Sequence, residues 1–180
     1  MSDRYGAVAV RTPRELDSRA LLHQVGGVPA SAELAPSSVQ PFMRKGSEGT
    51  VAVLSLANGW RVLWGWITLE WPDFDALRQG VERASQGGEA VFWFAEGTTG
   101  ACGFMVFADG RCVRSWWEVE GEVEENGGDP LHGEPPGLFG GEPDFERDEW
   151  TVVETIVEPR VAPWDDIAQA PYESFEVRGA

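Results

Sequence analysis

Apolar residues recur along this chain with two periods, and the clearest runs are strand-like. Residues 50–57 (TVAVLSLA) and 60–67 (WRVLWGWI) are β-prone runs separated by Asn58-Gly59, the signature of a hairpin with a two-residue turn. Such a loop pairs Val53 with Trp64, Val51 with Trp66 and Leu54 with Leu63, and it places Trp60, Trp64 and Trp66 on one face. Leu54, Leu56, Leu63 and Ile67 take the other face, so the hairpin is apolar on both sides and needs cover on both. Residues 90–96 (AVFWFAE), 101–108 (ACGFMVFA) and 111–119 read as a three-strand meander, turned at residues 97–100 and at Asp109-Gly110. A further strand is expected over 150–157 (WTVVETIV), and Phe175 to Val177 reads as a short edge piece.

Two segments carry the helical period. Thr12-Pro13 with Glu15 three residues after the threonine has capping-box spacing, which predicts a helix to about Val25 stopped by Gly26-Gly27. Its Leu16, Ala20, Leu21, Leu22 and Val25 do not form one narrow stripe, so it is expected at the sheet edge. Trp71-Pro72-Asp73 opens a second helix, with Phe74, Leu77, Val81 and Ala84 on one side. Residues 26–49 read as an irregular connection rich in Pro, Ser, Ala and Gly. The expected architecture is α+β in a single domain over 1–180. A single antiparallel sheet of about five or six strands, built from two hairpins, carries two main helices and a long acidic Gly/Pro-rich loop over 118–149.

Charge changes this picture more than composition does. With 42% hydrophobic and 24% charged residues the chain is too apolar for a disordered polymer. The net charge of -16 argues against nucleic acid or an anionic membrane as the main partner. Residues 118–180 hold 18 of the 30 acids against Arg147, Arg160 and Arg178, so most of the excess lies in the last third. Met1 to Arg11 lack the basic start and apolar core of a secretory signal, and Cys102 and Cys112 are the only cysteines, so a cytoplasmic, reducing home is expected.

Catalytic signals are sparse. The only histidines are His23, near a helix end, and His132, whose His-x-Glu with Glu134 lacks the later Pro-Cys-x-x-Cys of a zinc deaminase. Two cysteines and two histidines are too few for a structural zinc site, and neither a calcium-loop spacing nor a phosphate-cradling loop is present. Neither a metal nor a cofactor is expected. In the Asp109-Gly110 hairpin, a two-residue loop pairs Val106 with Val113, Phe104 with Ser115, Met105 with Arg114 and Phe107 with Cys112. Arg114 then lies among Phe107, Met105 and Trp116 and needs a carboxylate or aromatic partner. Glu134 is the first candidate, followed by Asp129 and Glu142.

The stretch Gly103 to Arg114 (GFMVFADGRCVR), with Glu125 to Leu131 (ENGGDPL), Glu134-Pro135-Pro136 and Gly141-Glu142-Pro143, resembles an actinobacterial domain family without an established role. The likeness covers about residues 90–145; His132-Gly133 stands where that pattern has Pro-Phe. It implies the hairpin and the loop, and no activity. More loosely, the chain resembles the small acidic immunity proteins of bacterial toxin systems.

The leading expectation is therefore an acidic binding or inhibitory module, of immunity type, for a basic protein such as a toxin. Its partner-binding residues are expected to be Glu118, Glu120, Glu122, Glu124 and Glu125, with Asp129, Glu134, Glu142 and Asp144. The alternatives are an enzyme with its site in the 114–142 region, using Arg114, Asp129, His132 and Glu134, and a Trp-lined domain for a small ligand; Arg114, His132 and Trp116 are read as a possible ligand site.

Overall fold

The computed structural model describes residues 4–14, 16–25, 28–38, 49–65, 74–96, 100–139 and 149–178. Among these residues nine strands form one antiparallel sheet. They are β1 (Arg4–Arg11), β2 (Glu33–Ser37), β3 (Thr50–Ser55), β4 (Arg61–Gly65), β5 (Glu89–Glu96), β6 (Ala101–Ala108), β7 (Arg111–Val119), β8 (Glu122–Gly128) and β9 (Tyr172–Arg178). Their order across the sheet is β2-β9-β3-β4-β1-β5-β6-β7-β8. The helices are short: α1 (Ser18–Val25), α2 (Phe74–Ala84), α3 (Glu149–Val152), which runs into a π-helical turn at Val153–Val157, and α4 (Trp164–Gln169).

This corrects the expected five or six strands with two main helices. The meander is found where the sequence placed it, as β5, β6 and β7, and α2 coincides with the expected second helix. Three strands had gone unread. β1 (RYGAVAVR) lies near the middle of the sheet between β4 and β5. β2 falls in the supposed irregular connection and β8 in the supposed acidic loop. β9 is no edge piece, because it pairs with both β2 and β3. Residues 150–157 are helical rather than extended: Val152, Val153, Ile156 and Val157 are buried at helical spacing, so packing overrides the β preference of a valine-rich run. The first helix starts five residues later than expected. Asp17 supplies its cap, its Oδ1 accepting the Ala20 N–H at 2.7 Å, while Thr12 Oγ1 accepts the Arg14 N–H at 3.3 Å.

Both faces of the sheet are covered, as the two-sided hairpin required. One face carries Val8, Val10, Leu63, Phe92, Met105 and Phe107 under α1 and α2. Gly80 lets these two helices approach, since a Cβ there would sit 2.4 Å from the Gln24 carbonyl oxygen. The opposite face carries Ala7, Ala9, Trp60, Val62, Trp93, Phe104 and Trp116 under α3, the π-helical turn, α4 and the Leu138-Phe139 pair. Strand alternation assigns each residue to its face, and fully buried strands therefore read as continuous apolar runs.

Two register details decide what faces what. The β3–β4 loop has three residues, Ala57 to Gly59: the Leu56 N–H donates to the Trp60 oxygen at 2.9 Å, the Gly59 N–H donates to the Leu56 oxygen at 3.1 Å, and Gly59 has φ of 86°. Trp64 consequently pairs with Ala52 rather than Val53, and Leu54 shares the face of Trp60 instead of opposing it. Trp66 and Ile67 lie outside the described residues. In the β6–β7 hairpin, Asp109 and Gly110 form the expected two-residue turn, with φ of 49° and 74°, and Phe107 pairs with Cys112. Val113 is then an extra residue on β7. Beyond this bulge Val106 pairs with Arg114, Met105 with Ser115 and Phe104 with Trp116.

Candidate functional site

The bulge at Val113 turns Arg114 onto the Phe104–Trp116 face, one residue out of the expected register. There the guanidinium is only 3% exposed and lies 5.8 Å from the centre of the Phe104 ring. All three of its nitrogens are engaged. Nη2 donates to Glu134 Oε1 at 2.7 Å and Nε reaches both carboxylate oxygens at 3.3 and 3.2 Å. Nη1 donates to Asn126 Oδ1 at 2.6 Å and to the Ser115 and Gly127 carbonyls at 3.1 and 3.0 Å. Glu134 Oε2 also accepts the Leu131 N–H at 2.9 Å. The pairing of Arg114 with Glu134, foreseen from the sequence, is thus present, as a buried fork-shaped ion pair.

This pair pins the turn segment 129–139 across the end of the sheet. A second tie comes from Arg160, whose Nη2 donates to the His132 oxygen at 3.4 Å and Nη1 to the Ile156 oxygen at 3.2 Å. Burial lowers the Arg160 guanidinium pKa from its ordinary value, against the pull of Glu134. Behind the segment, Phe139 packs 4.7 Å from Trp116 and 5.0 Å from Phe104, measured between ring centres.

Arg114, Trp116 and His132 border neither of the two concavities described below. Trp116 is fully buried, the Arg114 donors are engaged internally, and His132 is exposed on the turn. Two concavities lie elsewhere. One of about 700 Å³ is bordered by Arg11, Pro13, Gly88 and Asp109, and one of about 390 Å³ by Asp17, Ser18, Arg61 and Glu173. Among the described residues no group of three or more His, Cys, Asp or Glu is placed to hold a metal ion, and no helix is long and apolar enough to cross a membrane.

The acids expected to bind a partner divide into two sets. Glu118, 5% exposed, faces inward with its Oε1 4.0 Å from Cys102 Sγ, and Glu134 is the buried partner of Arg114. Glu120, Glu122, Glu124 and Asp129 are exposed, and Glu125 is half-buried, accepting the Ser115 hydroxyl at 2.8 Å. Glu142 and Asp144 lie outside the described residues. The exposed set follows one line: the β7–β8 turn, the outer strand β8 and the first residue after it. A second bulge, at Glu124, interrupts the pairing of β8 with β7. Between Arg114 and Arg147 the sequence contains no lysine or arginine. Strand β8 went unread because only its Val123 packs inward, leaving too little apolar alternation to register.

Comparisons with protein-family models, with curated proteins and with solved structures each find no match. The likeness of residues 90–145 to an actinobacterial family gains no support from them, and the site is read from its geometry.

Proposed function

We propose that this protein is an acidic binding module that captures a basic protein through the β8 edge, in the inhibitory manner of an immunity-type protein. The observation that carries this reading is the edge itself. Four exposed carboxylates, of Glu120, Glu122, Glu124 and Asp129, border one outer strand, with no intervening base, beside a turn segment held by a buried ion pair. Such a rim is rigid before binding, so little ordering entropy opposes association. Its field steers a basic partner and makes the association rate fall with salt.

The test is affinity capture from native lysate at low salt, with the wild type compared against the Glu122→Lys/Glu124→Lys variant. Both substituted positions are exposed, so the variant folds. The expected result is one or more basic proteins retained by the wild type, lost by the variant and released by salt. Equal capture by both proteins would return the acidic edge to a role in solubility and in blocking strand addition.

A further inference from the structure

Three tryptophans make a second surface feature that the acidic edge does not use. Trp64 on β4 and Trp164 on α4 meet with ring centres 5.7 Å apart at 60°. Trp150 on α3 meets Trp164 with centres 5.6 Å apart at 90°. Trp150 is 44% exposed, while Trp64 and Trp164 are half-buried. In these edge-to-face contacts the edge of one indole lies against the face of its neighbour, and the exposed indole of Trp150 adds the negative part of its ring quadrupole to the surface beside Trp164.

Among the described residues, the charges that flank these rings along the chain are mostly of the same sign. Asp165 and Asp166, both exposed, follow Trp164 in the first turn of α4. Glu154, also exposed, lies four residues after Trp150, and Glu158 Oε1 accepts the backbone N–H of Trp164 at 2.9 Å. Arg160 is the only base between Glu149 and Asp166, and it is occupied with the Ile156 and His132 carbonyls. An exposed indole among carboxylates repels anions and attracts a cation with an apolar stem, which is the chemistry of a lysine or arginine side chain.

We infer that the corner formed by Trp150 and Trp164 receives a lysine or arginine side chain of the basic partner. This rests on the partner class proposed above and adds a specific anchor to a reading based on distributed charge. Aromatic corners of this kind supply the concentrated contact that a charged rim lacks.

The test follows the tryptophan indole N–H signals of the full chain by NMR during titration with Nα-acetyl-lysine amide, Nα-acetyl-arginine amide and the uncharged Nα-acetyl-norleucine amide. The two cationic amides are expected to shift the Trp150 and Trp164 signals at millimolar concentration, and norleucine amide is expected to leave them in place. Asp165→Asn/Asp166→Asn should weaken the response about two- to fivefold, and Trp150→Ala should abolish it. Should Trp150→Ala unfold, the Asp165→Asn/Asp166→Asn variant decides. Equal shifts with norleucine amide would mean a merely apolar patch and overturn the inference, as would indole signals that stay still. Glu122→Lys/Glu124→Lys keeps the corner intact, so a normal amide response in that variant separates failure of the edge from failure of the corner.

Discussion

Arg114 owes its partners to one extra residue. Without the bulge at Val113 its side chain would point to the α1–α2 side of the sheet; with it, the guanidinium reaches Glu134, Asn126 and two carbonyls. The sequence made the need for a carboxylate legible, and even named Glu134, because an arginine in an apolar strand has few ways to be satisfied. The bulge was illegible, since nothing in the run RCVRSWW marks which residue is extra. Arg114→Met leaves the Glu134 charge buried, so it should cost about 3–5 kcal/mol in urea unfolding and speed proteolysis within 129–139. Arg114→Met/Glu134→Leu should recover most of that loss; a double variant no better than the single would show that the pair is not the cause. Cys112 provides a pH test. Burial, opposed by nearby Arg78, raises its thiol above the ordinary value of 9.0. The fold favours the neutral thiol, so this contribution to stability is fully present below the ordinary value and is lost as pH rises through the raised one. Alkylation of Cys112 at about pH 8 should then be slower than that of an unstructured peptide thiol, and an equal rate would contradict the burial.

Among the elements, those with strong local signals agreed with the sequence and those decided by packing did not. β5 to β7 and α2 have unambiguous periods and clear turns. β1 hides because its alternate residues, Ala7 and Ala9 against Val8 and Val10, serve two buried faces and show no polar alternation. The 150–157 segment is the opposite failure, a β-like composition bent into helix because four aliphatic side chains must cover Trp93 and Phe104 together. The α1–α2 contact gives a test in which packing and propensity have opposite signs. Gly80→Ala raises intrinsic helix preference by about 1 kcal/mol. Its Cβ, however, would press on the Gln24 carbonyl at 2.4 Å, backbone that cannot rotate away. The net effect should be destabilising by about 1–3 kcal/mol in urea unfolding, and a stabilised variant would show that the helices separate freely.

The whole molecule joins a neutral first half to an acidic last third, and its two sheet edges reflect that division. β2 is five residues long and carries Pro36, which cannot donate to an added strand. β8 carries glutamates and a bulge. A net charge of -16 repels itself, so raising salt from about 0.02 to about 0.5 M should increase the urea midpoint by shortening the Debye length. A midpoint that falls would show that attractive pairs dominate. The decisive measurement is an amide NMR titration of the full chain with hexalysine at low salt. The account requires that shifts concentrate on Glu120 to Asp129 and on the Trp150–Trp164 corner, and that they vanish at high salt. Shifts spread equally over Asp17, Glu89, Glu173 and Glu176, or none on β8, would contradict it.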